Sequence, residues 1–343
     1  MSYVTAGIEE QHIGWRQSRR KFEDTIKQWC WLNDCDFYGT YTDIQIPIKN
    51  KAVKLCVFEL MDNFNDLKIL DRQCQQQNKK IYYFTDNLVD LVDLKNIKIV
   101  PIHELFGLVE NFDIVRPQTP NKLYNCFMHR VDPVRQSWFY FLKHHNQLDN
   151  GYVSFLLHQK KDSSDDVYTT LNGIELYDYI HKNHQLDGLK HFHQAYLAMR
   201  EHVPYQNFKE NYNLEEYITD SKYSLVLETF ATQDSHIAAC YTEKLQHTLQ
   251  FPTINLFFAQ QNSLAKLHNL GFDIPDYMLE IDKHPWIKRQ QMLLDILIND
   301  SVDFDPKTLY NSAMHNRDKL ANYKTDFDKG DFYNMIFDMV SEV

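Results

Sequence analysis

The chain has 343 residues, 43% of them hydrophobic and 24% charged, with 36 Lys and Arg against 47 Asp and Glu for a formal charge of −11. That length exceeds what one hydrophobic core usually supports, so two domains with a cleft between them are expected, and no apolar stretch reaches the ~20 residues of a membrane span. The acidic balance argues against nonspecific nucleic-acid binding by the whole surface, because that affinity comes from Lys and Arg displacing counterions.

The opening segment, MSYVTAGIEEQHIGWRQSRRKFED, lacks an apolar signal core followed by small residues, so a cytoplasmic location is expected. Phe22, Ile26 and Trp29 recur at helical spacing and predict a helix over 9–31, with Arg16, Arg19, Arg20 and Lys21 on its wet side. Ile44, Ile46 and Ile48 alternate as a half-buried strand does. VKLCVFEL (53–60) is an apolar run of strand length, followed by Phe64, Leu67, Leu70 and Cys74 at helical spacing. KIYYFTDN (80–87) and NIKIVPI (96–102) repeat the strand signal. Such alternation predicts a parallel sheet covered on both faces.

NFDIVRPQTPNK (111–122) holds two prolines and little periodicity, and marks a domain boundary. After it the pattern restarts. LYNCFMH (123–129) reads as a strand, DPVRQSWFYFLKHH (132–145) as a helix with Pro in its first turn, and GYVSFLLH (151–158) as a strand. Residues 174–218 are rich in Tyr and His and read as mostly helical or irregular. KYSLVLETF (222–230), YTEKLQHTLQ (241–250), PTINLFFA (252–259) and NSLAKLHNL (262–270) then alternate strand and helix, with Gly271 as a C-terminal cap. HPWIKRQQMLLDILIND (284–300) is an amphipathic helix with Trp286, Leu293, Ile296 and Leu297 inward. The boundaries expected are an N-terminal α/β domain over 1–118, a second over 119–300, and a C-terminal helical segment over 301–343 that packs back on the first.

The six cysteines form no C-x-x-C pair and sit mostly in apolar runs, the setting of reduced, buried thiols. Neither G-x-G-x-x-G nor G-x-x-x-x-G-K occurs, so a phosphate would have to be held at helix N-termini with cationic side chains beside them. Two places fit. One is strand–R-x-D-P-x-R–helix, with Arg130 at the strand end and Arg135 in the first helical turn; the other is the strand ending at Glu228, followed by Tyr241, Thr242, Glu243 and Lys244 at a helix start. Both fall at carboxyl ends of strands, where doubly wound sheets bind ligands. Taken alone, Glu243 and Lys244 also read as a solvated first turn and Arg135 as a surface residue. Asp34-Cys35-Asp36, formally a D-x-D, and the acidic run from Asp162 to Asp166 read as loops. His144-His145 and His191-x-His193 lack the spacing of a zinc site, so no metal is expected.

KYSLVLETF followed by YTEKLQHTLQFPTINLFF resembles the donor-site block of the α1,3-fucosyltransferases and related phage and algal-virus glycosyltransferases. NCFMHRVDPVRQSWFYFL is similar to their upstream arginine block, and NSLAKLHNLGF to their later Leu-x-x-Leu-x-x-x-Gly-Phe; the likeness spans about 123–300. Phe251 stands where the family has a glycine. The resemblance implies a GT-B fold, α/β with two Rossmann-like domains facing each other across a cleft, and a metal-independent sugar transfer from a UDP- or GDP-sugar co-substrate. It implies that Arg135 and Lys244 contact the diphosphate, with Arg130 and Thr242 in the same donor site. Glu243 would meet the ribose, and Glu228 and Tyr241 the sugar or nucleotide. An inverting enzyme of this kind needs a carboxylate base near the acceptor hydroxyl, and Glu59, Asp62 and Asp86 at strand ends of the first domain are the candidates, with Asp86 also reading as a structural helix cap.

A composition rich in Asn, Lys, Ile, Tyr and Phe with nine glycines resembles proteins of large T-even-like phages, some of which glycosylate 5-hydroxymethylcytosine in double-stranded DNA. That acceptor would demand base flipping and a basic rim, for which Arg16, Arg19, Arg20, Lys21 and the lysines of 49–54 are the candidates. A glycan or lipid-linked saccharide is the rival acceptor, and a non-catalytic protein with a degenerate fold the rival class.

Overall fold

A computed structural model describes residues 27–28, 30–31, 36–38, 54–58, 67–85, 88–89, 94–101, 119–128, 133–155, 205–209, 214–228, 231, 238–239, 241 and 243–328. The fold is α/β, with two larger sheets and one short ribbon among the described residues.

In the first sheet, strands β1 (Asp36–Tyr38), β2 (Lys54–Phe58), β3 (Lys80–Thr85) and β5 (Ile97–Pro101) lie in the order β1-β2-β3-β5, all parallel. Helix α1 (Leu67–Gln76) makes the β2-to-β3 crossover and seals Cys74 in the interior. Burial pushes the Cys74 thiol up to about 11. The loop reading of Asp34-Cys35-Asp36 needs correction at its last member. Asp36 opens β1, whose residues pair with Leu55, Cys56 and Val57 of β2. A three-residue strand is too short to show periodicity, and the neighbouring strand selects its conformation. The strand expected at Ile44–Ile48 lies outside the described residues, as does most of the helix expected over 9–31.

The second sheet is built from β6 (Lys122–Met128), β7 (Gly151–Phe155), β8 (Tyr205–Gln206), β9 (Ser221–Leu227) and β11 (Ile254–Phe258), in the order β11-β9-β6-β7-β8. The first four of that order are parallel, and β8 closes one edge antiparallel to β7, so the sheet is mixed rather than wholly parallel. Four consecutive residues of β9 and beyond, Leu225 to Glu228, are buried together with Tyr223 and Ser224, as expected of a strand covered on both faces.

Helix α2 (Pro133–His144) follows β6 and buries Trp138, Phe139, Tyr140, Phe141 and Leu142 in succession, so it is packed on more than one side. Trp138 meets Phe258 edge-on at 5.4 Å, and Phe139 stacks on Phe155 at 4.6 Å. Helix α3 (Leu214–Thr219) leads into β9, α4 (Glu243–Leu249) precedes β11, and α5 (Ser263–Asn269), α6 (Asp276–Asp282), α7 (Trp286–Asn299) and α8 (Pro306–Asp328) complete the chain order. Helix α7 lies on α2, where Gln290 Nε2 donates to Ser137 Oγ at 2.9 Å. Helix α8 contacts α4 and sends Leu320 into the core of the second sheet; Asn316 and His315 bond to Asp273 and Gly271. Gly271 ends α5 at φ +89, with Gly271 N–H donating to His268 O and Phe272 N–H to Leu267 O, a left-handed cap that only glycine adopts without strain.

Three strands start from one clamp. Asp220 Oδ1 accepts from Asn121 N–H and Nδ2, its Oδ2 accepts from the Tyr152 hydroxyl at 2.6 Å, and its carbonyl accepts from Lys122 N–H. Beside it, a Cβ at Gly151 would lie 2.6 Å from the Tyr124 ring and 2.7 Å from the Tyr124 carbonyl oxygen. The carbonyl belongs to the paired strand and cannot yield without parting the ladder. Gly151→Ala is therefore expected to cost about 2–3 kcal/mol, the usual scale of overpacking, measured as a lowered urea midpoint at unchanged m-value.

A ribbon of β4 (Leu88–Val89) and β10 (Ala238–Ala239), paired antiparallel with Ala238 opposite Val89 and Ala239 opposite Leu88, links the two halves of the chain. β4 starts three residues after β3 ends, and β10 lies between β9 and α4. The ribbon thus ties a segment beyond the carboxyl end of the first sheet to one beyond the carboxyl end of the second.

Candidate functional site

The connections of the second sheet define a crevice. From β6 the chain runs through α2 to β7 on one side, and from β9 through α4 to β11 on the other, so the adjacent strands β6 and β9 send their following segments in opposite directions. At such a switch point the carboxyl ends of the two strands leave a gap between diverging loops, which is where ligands enter sheets of this kind.

Arg135 stands in the first turn of α2 and is only 4% exposed, which removes the surface-residue reading. Its positive field reaches Cys126 on β6, opposing the burial that pushes that thiol up to about 12. Glu228 directly follows β9, is 3% exposed, and is fixed by its backbone N–H donating to Phe258 O at 3.0 Å. The switch point is therefore flanked by one buried guanidinium and one buried carboxylate, each on the segment that leaves its strand.

Tyr241 is buried, and its hydroxyl donates to Ser263 O at 2.6 Å, binding the approach to α4 to the start of α5. Glu243 is the first residue of α4, and Lys244, half-buried, the second; the Lys244 carbonyl accepts from Thr248 Oγ1 at 2.7 Å. Glu59, Asp62, Asp86, Arg130, Thr242, Arg16, Arg19 and Arg20 lie outside the described residues. In sequence Asp86 is two residues from the ribbon at Leu88, and Tyr241 two residues from it at Ala239.

A buried polar network that sequence reasoning missed sits behind the β9 side. Arg289, fully buried on α7, donates from Nη2 to Ala231 O at 2.6 Å and from Nη1 to His284 O, with its guanidinium 6.0 Å from the centre of the Phe258 ring. It fastens the segment after Glu228 to the helical layer. Asp282 caps the start of α5, accepting from Leu264 N–H at 2.8 Å and Ala265 N–H at 3.4 Å on one carboxylate oxygen. Burial raises the Asp282 carboxyl from 3.8 to about 6, with Arg289 and the two N–H groups pulling the other way. A signal existed in the sequence, because residues 289 and 290 fall on the same stripe as Trp286, Leu293 and Leu297, a position a purely solvated arginine does not take. Gln246, one turn into α4 from Glu243, is also buried, and among the described residues neither atom of its amide has a hydrogen-bond partner. Nothing in single-residue spacing distinguishes it from an exposed glutamine.

The sign of the Asp282 effect is testable. Its folded-state value is raised, so protonation stabilises the fold fully below pH 3.8, and this contribution disappears as pH rises through about 6. Asp282→Asn keeps an acceptor for the cap and cannot titrate. The stability of the natural chain minus that of the variant is expected to grow by about 2–3 kcal/mol between pH 7 and pH 4, measured by urea denaturation at both values.

Among the described residues no group of three or more His, Cys, Asp or Glu could hold a metal ion, and no helix is long and apolar enough to cross a membrane. Cys30, Cys74 and Cys126 are buried free thiols. No protein-family model matches the chain, and no curated protein or solved structure matches it.

Proposed function

We propose that this chain is a glycosyltransferase of the GT-B kind that moves a sugar from a UDP- or GDP-sugar to a hydroxyl acceptor, with 5-hydroxymethylcytosine in double-stranded DNA as the acceptor. The observation that carries the reading is the switch point between β6 and β9, with Arg135 buried in the first turn of α2 on one side and Glu228 on the other. A diphosphate entering there meets a guanidinium and a helix N-terminus, both of which stabilise negative charge developing on the leaving group. Lys244, in the first turn of α4 after the second diverging segment, adds the other cation. Glu243 accepts the ribose hydroxyls, and Glu228 and Tyr241 complete the donor site with Arg130 and Thr242.

The β4–β10 ribbon supports the placement of the acceptor. It pairs Leu88–Val89, two residues beyond Asp86 in sequence, with Ala238–Ala239, two residues before Tyr241. A carboxylate base there, Asp86 or one of Glu59 and Asp62, takes the acceptor proton. Arg16, Arg19 and Arg20 supply a basic rim for the DNA backbone. The test is transfer itself: the protein is incubated with hydroxymethylated DNA and either UDP-glucose or GDP-fucose, and the digested nucleosides are weighed by mass spectrometry. A hexosyl or deoxyhexosyl increment on hydroxymethylcytosine supports the reading. Donor turnover with an oligosaccharide acceptor but not with DNA would favour the glycan acceptor, and no turnover with either would reject the enzyme.

A further inference from the structure

The opposite, amino edge of the second sheet carries a hollow of about 430 Å³ lined by Tyr152, Phe208, Lys209, Glu216, Tyr217 and Asp220. Its size falls within the ~300–1,000 Å³ of small-molecule sites. Three rings form an angled wall. The Tyr217 ring lies 4.7 Å from both Tyr152 and Phe208, tilted 57° and 54° to them, while Tyr152 and Phe208 stand 87° apart at 6.5 Å.

This wall is braced before any ligand arrives. The Tyr152 hydroxyl donates to Asp220 at 2.6 Å, the Tyr217 hydroxyl donates to Lys209 O at 3.2 Å, and Phe208 packs edge-on against Phe127 at 5.5 Å. Asn207, next to Phe208, donates to Gly151 O and Leu148 O and accepts from Val153 N–H. The two phenol groups are committed to protein partners, so the tyrosines offer ring carbon rather than hydroxyl to the hollow.

Charge decides between ligand classes. The Asp220 carboxylate is met by three donors from Asn121 and Tyr152. Exposed Lys209 and Glu216 make no side-chain hydrogen bond or ion pair among the described residues, and they contribute one donor and one acceptor of cancelling charge. A phosphate would face Glu216 and Asp220, and an organic cation would face Lys209. A neutral polyhydroxylated ring suits all three features: its C–H face lies on the aromatic wall, one hydroxyl donates to Glu216, and another accepts from Lys209.

We infer that this hollow binds a neutral hexose unit of a saccharide, at a site separate from the nucleotide crevice and independent of the proposed transfer reaction. The test is saturation-transfer NMR on the full chain with methyl glycosides of glucose, galactose and mannose at millimolar concentration. Transfer to the ring C–H protons of at least one glycoside is expected, reduced about tenfold in Phe208→Ala, and unchanged by saturating UDP or GDP. Should Phe208→Ala fail to fold, the exposed pair Lys209→Met and Glu216→Gln replaces it with the same expectation. No transfer from any of the three sugars, transfer undiminished in the variants, or displacement by nucleotide would each overturn the assignment. Glycoside binding in a protein that binds neither nucleotide would leave this site standing and reject the donor site alone.

Discussion

Arg135→Ala is expected to weaken UDP or GDP binding by about 100-fold or more, a loss of about 3 kcal/mol, because a buried charge-assisted contact to the diphosphate disappears. The effect is large for a physical reason. Arg135 is 4% exposed, so its guanidinium is largely stripped of water before the ligand arrives and is not screened as a surface arginine is. Truncation also removes packing, and the comparison that separates the two roles is Arg135→Lys. Lysine keeps the charge and loses the fork, so it should recover part of the affinity; a purely structural arginine would show equal nucleotide affinity in all folded variants. Thermal midpoints of both variants, measured alongside the titrations, identify any loss that comes from unfolding.

Arg289→Ala is expected to be the most destabilising single change outside the apolar core, at about 3–5 kcal/mol, the scale of a buried ionic group deprived of its partner. It leaves Ala231 O and His284 O without their donor and removes the positive charge that holds down the Asp282 carboxyl. Coupling follows from the shared partners. In urea denaturation at pH 7, adding Asp282→Asn to Arg289→Ala should cost less than the sum of the single changes, since the carboxylate left uncompensated by the first change is neutralised by the second.

Strands β6, β7, β9 and β11 of the second sheet were legible because each is a short apolar run bounded by polar or turn residues. VKLCVFEL, KIYYFT and NIKIVP in the first sheet read equally clearly. The helices α2, α4, α5 and α7 were legible from caps and spacing: Pro133 opens α2, and Gly271 closes α5. What the sequence hid has a common cause. Strands β1, β4, β8 and β10 have two or three residues each, and such segments are extended only because a neighbouring strand supplies hydrogen bonds. The antiparallel edge made by β8, and the ribbon that ties Leu88–Val89 to Ala238–Ala239, belong to this class.

Of the candidate site, the positions of Arg135, Glu228 and Lys244 beside strand ends and helix starts could be read from the chain, because strand–helix order fixes which end of a strand a residue occupies. Their burial could not, since a first-turn arginine looks the same in sequence whether it faces water or the sheet. The partners of Asp282 and Arg289 were hidden for a related reason, although the stripe of α7 marked Arg289 itself as inward. The two side chains serve segments 18 to 58 residues away, Leu264 and Ala231, and local spacing carries no trace of such pairings.

The claim on which the functional account rests is that the crevice between β6 and β9 holds a nucleoside diphosphate. Isothermal titration of the full chain with UDP and with GDP, repeated on Lys244→Ala, tests it most directly. Saturable binding of one nucleotide with an equimolar end point, lost in Lys244→Ala at an unchanged thermal midpoint, is the predicted result. No heat and no thermal shift with either nucleotide at millimolar concentration, or equal affinity in Lys244→Ala, would contradict it.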